Sequence, residues 1–200
     1  AGEAGVRPKP GEFFFSRHPR AVSILVYQAI EAEGFAPVGE ELVRLSGPGC
    51  LVAAGSFLRP LGNLRWKDLK SRQAHLAHAL DTEGKTLDQV VVVYWKGPKS
   101  YTGEDLVEIS AHGSPYVLGR LLECAVKAGA RLARPGEFTQ RAYINGRMDL
   151  AQAEAVCDLI RSKTELAHRA ALTQMEGGLS RKLEGLKARM LDLLAQVPAP

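Results

Sequence analysis

Apolar and polar side chains alternate along residues 106–112. Val107, Ile109 and Ala111 fall on one parity, and Glu108, Ser110 and His112 on the other. Successive side chains of a strand point to opposite faces, so this stretch predicts a strand with a core face and a polar face. The polar face is either solvated or the wall of a site. DQVVVVYW at 88–95 is a continuous β-branched and aromatic run, which predicts a strand buried on both faces. ELVRLSG at 41–47 predicts a short strand ended by Gly47-Pro48-Gly49, with Arg44 alternating out between Val43 and Leu45. AVSILVYQAIEAE at 21–33 reads as a strand running into a helix. Residues 56–80 show no clean period, and Pro60, Gly62 and Asn63 mark a long connection.

Helical spacing begins after the alternating strand. Ser114-Pro115 is an N-cap followed by a first-turn proline, Leu118, Leu121, Leu122 and Ala125 form an apolar stripe, and Gly129 is the C-terminal stop. RPGEFTQRAYING at 134–146 opens on Pro135 and closes on Asn145-Gly146, as a short helix between turns does. From Asp149 to Val197 strong helix formers dominate. Leu150, Cys157, Ile160, Leu166, Leu183, Met190 and Leu194 lie along one side, which predicts two or three long helices with an interruption at Gly177-Gly178.

The fold class expected is therefore α+β: a mixed sheet with flanking helices, followed by the long helices of an incomplete bundle. Three segments are expected: an irregular or atypical N-terminal arm over 1–35, Pro-rich and basic over its first 20 residues, an α+β domain over 36–148, and the first part of a helical domain over 149–200.

Composition adds limits more than direction. With 46% hydrophobic and 24% charged residues the chain can bury a real core. A net charge of +4 is compatible with an anionic partner but too mild to require one. Three widely spaced cysteines without a CxxC pair point away from a disulfide framework or a cysteine zinc site, and toward a reducing compartment. No apolar run is long enough to span a bilayer.

Candidate chemistry is sparse. DTEGKT at 81–86 ends like a phosphate-binding loop, but Ala79 stands where that loop needs a glycine, so the segment reads as a polar turn. His75 and His78 fit one helix face, yet two ligands do not make a metal site. His168, with Glu165 and Arg169 near it, belongs on a wet face. Glu108 is the notable group: a carboxylate accepts two parallel hydrogen bonds and suits a ring edge with adjacent N–H groups, such as a pterin or guanine. Alternation alone favours a solvated Glu108. Arg44 and Arg147 are either surface charges or, together, an anion clamp.

GPKSYTGEDLVEISAHGSP (97–115), ARPGEFTQRAYINGRMDLAQAEAVCDLI (133–160) and VRLSGPG (43–49) resemble the MnmE/TrmE family of tRNA modification GTPases. The resemblance runs over about residues 36–197 and does not include residues 1–35. It implies an N-terminal α+β domain that binds 5-formyl- or 5,10-methylene-tetrahydrofolate and forms a homodimer, followed by a helical domain carrying an inserted GTPase domain. It further implies cytoplasmic modification of C5 of the tRNA wobble uridine, together with a flavoprotein of the MnmG/GidA type. Carried over by motif, the folate contacts fall on Arg44, Glu108 and Arg147, with arginine at the last position where the family often has lysine. On this reading the chain is the folate-binding and dimerisation half, without the GTPase domain that uses GTP, potassium and magnesium, and it should not hydrolyse GTP alone. The resemblance assigns no role to Cys50, Cys124 or Cys157, which read as small buried residues. Two other classes stand beside it: a stand-alone folate-dependent one-carbon transferase, for which His112 is the available base, and a non-catalytic dimerisation module.

Overall fold

The computed structural model describes residues 23–27, 40–62 and 64–196. Its strands are β1 (Ser23–Tyr27), β2 (Glu40–Ser46), β3 (Leu58–Pro60), β4 (Ala74–Leu80), β5 (Thr86–Trp95), β6 (Leu106–His112) and β7 (Arg131–Leu132). They form one sheet in the order β3-β4-β5-β6-β2-β1-β7. Only β1 and β7 run parallel; every other neighbouring pair is antiparallel. The helices are α1 (Cys50–Gly55), α2 (Pro115–Lys127), α3 (Glu137–Ile144), α4 (Leu150–Arg161), α5 (Glu165–Met175) and α6 (Gly178–Ala195). The α+β class expected from the pattern is the class observed.

The alternation in β6 is realised as read. Val107, Ile109 and Ala111 are fully or almost fully buried, while Glu108 and Ser110 are half-buried and His112 is exposed. Burying each of the two large aliphatics stabilises the fold by about 1.5–3 kcal/mol. They join Val43 and Leu45 of β2 and Val90 and Val92 of β5 in a core covered by α1 and α2. Leu118, Leu121 and Ala125 supply the buried stripe of α2. That helix ends where Gly129 adopts φ +91, with its N–H and that of Ala130 donating to the Val126 and Ala125 carbonyls. Ser114 does stand at the N-cap before Pro115, but its side chain makes no capping bond.

Three expectations need correction. The strand β5 is not buried on both faces: Val90, Val92 and Tyr94 are buried, whereas Val91, Val93 and Trp95 are half-exposed. A run of valines satisfies a strand whatever covers its second face, so composition cannot tell one covered face from two. Residues 56–80 are not a long connection but contain β3, a single 3-10 turn at Trp66–Asp68, and β4. Their short strands borrow stability from the ladder with β5 rather than from their own propensity. His75 and His78 consequently lie on β4, where a spacing of three puts them on opposite faces, so they cannot share a ligand. Of the segment 21–33, residues 23–27 are a strand; the helical half of that reading lies outside the described residues.

DTEGKT is the turn between β4 and β5. Asp81 Oδ1 accepts the N–H groups of Glu83 and Lys85, both at 2.9 Å, and the Lys85 bond is the main reason its carboxyl sits below the usual range. After α3 the described elements are all helices. Asp149 and Gln152 form a reciprocal capping box at the start of α4. Ser180, at the start of α6, donates to the second oxygen of Asp149, which ties the two helix starts together. The break between α5 and α6 falls at Gly177, as the Gly177-Gly178 pair predicts. His168 is exposed, and Arg169 pairs with Glu165 at 2.6 Å.

The apolar side of these helices is largely uncovered. Ala155 and Ala171 are buried, but Leu150, Ile160, Leu166, Leu183, Leu186, Met190 and Leu194 are each more than half exposed. Among the described residues no helix is long and apolar enough to cross a membrane.

Candidate functional site

Pairing of β6 with both neighbours decides what surrounds Glu108. Arg44 of β2 lies directly opposite it on one side and Val93 of β5 on the other. Trp95, two residues beyond Val93, shares its face by strand parity. Arg44 Nε donates to Glu108 Oε1 at 2.8 Å, and Trp95 Nε1 donates to Oε2 at 2.8 Å. The Arg44 and Glu108 side chains are 26% and 18% exposed, so the pair is partly screened by protein and open on one side. Two of the three residues singled out in the sequence therefore touch.

The third arrives from α3. Asn145 and Gly146 end that helix, and the Arg147 N–H donates back to the Ala142 carbonyl at 2.8 Å. This directs Arg147 onto the loop 97–105 between β5 and β6, where its Nε donates to the Ser100 carbonyl at 3.1 Å. Asn145 Nδ2 donates to the Thr102 carbonyl of the same loop at 2.7 Å. The contact is close enough to require a glycine in the loop: at Gly103, φ is +78, and a Cβ there would sit 2.9 Å from Asn145 Cβ and 3.2 Å from Arg147 Cγ. The result is a cleft of about 270 Å³ lined by Trp95, Lys99, Ser100, Tyr101, Leu106, Glu108 and Arg147.

Beneath the loop lies a charged cluster. Arg141 of α3 donates to Glu104 Oε2 at 2.8 Å and to Glu137 Oε1 at 2.8 Å, and Arg131 takes both oxygens of Glu137 at 2.6 and 2.8 Å. The Arg141 and Glu137 side chains are only 7% and 8% exposed. Ser46 Oγ also donates to Glu104 and shares a 2.7 Å hydrogen bond with buried Thr102 Oγ1. The cluster thus fastens α3, the end of β2 and the loop to one another, and holds the cleft wall in place. Sequence reasoning passed over these charges. The one available signal was the i, i+4 spacing of Glu137 and Arg141 on a predicted helix.

Trp95 and Tyr101 were missed as well. Trp95 was visible as the end of a strand, but nothing local says that β5 neighbours β6. His112 shares the face of Glu108 but stands apart from the cleft lining. It is exposed, and its Nδ1 lies 2.8 Å from Asp88 Oδ1. A larger cleft of about 500 Å³ elsewhere is lined by Phe57, Arg59, Cys124, Lys127 and the 81–84 turn, and contains none of Arg44, Glu108 and Arg147.

The cysteines take no part in the Glu108 cleft. Burial, with a smaller contribution from the Asp105 charge, pushes the Cys50 thiol up from 9.0 to about 12. Burial also raises the Cys124 thiol, whereas Cys157 is half-exposed. Iodoacetamide at about pH 8 is expected to label Cys157 and to spare Cys50 and Cys124 until denaturant is added, because the thiolate is the nucleophile. Labelling of native Cys50 at the rate of Cys157 would refute this. The same shift has a stability consequence. Between pH 9.0 and about 12 the unfolded thiol ionises while the folded one does not, so stability contributed by Cys50 is present below that window and declines across it.

Chemically, the cleft offers a carboxylate fixed by two donors, two aromatic rings, and two cations, Lys99 and Arg147. Its one hydroxyl of the serine type is engaged, since Ser100 Oγ donates to the Glu104 carbonyl. Such an arrangement suits binding of a flat heterocycle with adjacent N–H donors and an anionic tail.

Residues 29–147 match the family model described as GTP-binding protein TrmE N-terminus, and residues 150–200 match that of the MnmE helical domain. The chain is 49% identical over 166 residues to the tRNA modification GTPase MnmE of Aquifex aeolicus, covering 82% of this chain and 36% of that protein. It is 50% identical over 159 residues to the protein of that name from Thermus thermophilus, covering 79% and 36%. For the one from Koribacter versatilis the identity is 48% over 162 residues, covering 80% and 35%. The chain thus spans little more than a third of the length of these curated relatives.

Proposed function

The chain belongs to the MnmE (TrmE) family of tRNA modification GTPases, and from that premise we propose that it binds a one-carbon tetrahydrofolate in the cleft around Glu108. The observation that carries the reading is that Glu108 of β6, paired with Arg44 of β2, lines one cleft with Arg147 from the end of α3, while Arg44 itself stands behind Glu108 rather than in the lining. In this reading Glu108 accepts the adjacent N–H groups of the pterin edge. Trp95 and Tyr101 flank the ring, and Arg147 with Lys99 meets the acidic tail of the folate. The bound one-carbon unit serves modification of C5 of the tRNA wobble uridine, with a second copy of the chain, a flavoprotein of the MnmG/GidA type and tRNA as partners. GTP, potassium and magnesium belong to a GTPase domain of the family rather than to this cleft.

Titration of 5-formyltetrahydrofolate into the purified chain, followed by calorimetry, tests the reading. Saturable binding at one site per chain is the expected result. No heat and no saturation up to millimolar ligand, a range in which even a weak site of about 4 kcal/mol would register, would sink it.

A further inference from the structure

We propose that Trp95 is a positioning residue for the Glu108 carboxylate, its indole N–H setting the plane in which Glu108 meets a pterin edge; this rests on the folate reading above. The terminal torsion of a glutamate side chain is broad, so one hydrogen bond does not orient the carboxylate. Arg44 Nε alone, bonded to Oε1, would leave the group free to swing about that contact. The Trp95 Nε1 bond to Oε2 is the second anchor and removes that freedom. Each carboxylate oxygen accepts two hydrogen bonds, so each still has a free direction for a ligand donor. A pair of adjacent ligand N–H groups needs both directions in one plane, and an acceptor already held there loses little entropy on binding.

Strand parity confines this role to Trp95. Tyr94, beside it on β5, points into the core and is 8% exposed. The indole nitrogen of Trp66, the other tryptophan, donates to the Leu51 carbonyl at 2.6 Å. If Trp95 were only a wall, its ring surface would matter and its N–H would not.

Trp95→Phe keeps an aromatic ring and removes the N–H. Wild type and variant are titrated with 5-formyltetrahydrofolate and with its 2-desamino-2-methyl analogue, which lacks the exocyclic N–H donors. The variant is expected to lose about 10-fold in affinity for the natural compound and less than about 2-fold for the analogue, because only the former uses the oriented pair of acceptors. Equal weakening of both ligands, or no weakening, overturns the proposal. A second readout needs no ligand. In a ¹H–¹⁵N spectrum of the free chain, Glu108→Gln is expected to move the Trp95 indole signal and leave that of Trp66 in place. A Trp95 signal that stays put overturns the proposal even if folate binds. If wild type binds neither ligand, the folate reading falls and takes the ligand role of Trp95 with it, while the indole shift still reports whether the anchor exists.

Discussion

Glu108→Ala is expected to weaken binding of 5-formyltetrahydrofolate by about 100-fold, the loss of one to two hydrogen bonds to a charged acceptor. Among the described residues that line the cleft the side chain is the only carboxylate, and both its oxygens face donors, so none of them takes over its role. Alanine also leaves the Arg44 guanidinium and the Trp95 N–H without their acceptor, which opens the cleft floor to water. The pair is partly exposed, so the cost to folding is much smaller, about 1 kcal/mol. Calorimetric titration alongside urea unfolding separates the two effects. Unchanged affinity in a folded variant would show that the ligand does not use this carboxylate. Loss of binding matched by loss of folding would show that Glu108 serves the sheet instead.

Arg141→Met is expected to cost about 3–5 kcal/mol of stability, the range for removing one partner of a buried ion pair. Methionine fills similar volume, so the loss reports charge more than packing. Glu137 keeps Arg131 and the Arg134 N–H, but Glu104 retains only the hydroxyl of Ser46 among its side-chain donors in this cluster. The effect therefore belongs near the lower end of the range. Pairing the change with Glu104→Gln should recover 0.5–3 kcal/mol of it, since the uncompensated charge is then gone. Urea midpoints at constant m-value are the measurement. A single-variant loss below about 1 kcal/mol would mean that water reaches the cluster and screens it, as at surface pairs. Because the same cluster pins the loop 97–105, folate affinity should fall together with stability in the Arg141 variant, whereas Glu108→Ala uncouples them.

Much of the site could be read locally. The parity of Glu108 against Val107 and Ile109 is a property of the extended backbone and needs no partner strand. The Asn145-Gly146 stop that aims Arg147 was likewise visible, because left-handed glycine at a helix end has few alternatives. The turn at 81–86 was legible from a missing glycine. In each case a few neighbouring residues impose the geometry.

What the sequence by itself determined, then, is which segments are strands or helices over most of the chain, and which side chains share a face. It also carried, through its long motifs, the family to which the chain belongs. The tertiary structure alone decided who stands beside whom. Arg44 and Glu108 are 64 positions apart and meet because β2, not β4, flanks β6 on that side. Trp95 joins them only because β5 takes the other flank, and the uncovered second face of β5 is what leaves room for a cleft. The short β3 and β4, hidden in a stretch without period, exist because β5 offers them a ladder. Parity is a local property of one strand, whereas strand order is chosen by the burial and hydrogen bonding of the whole sheet, and no window along the chain contains that sum.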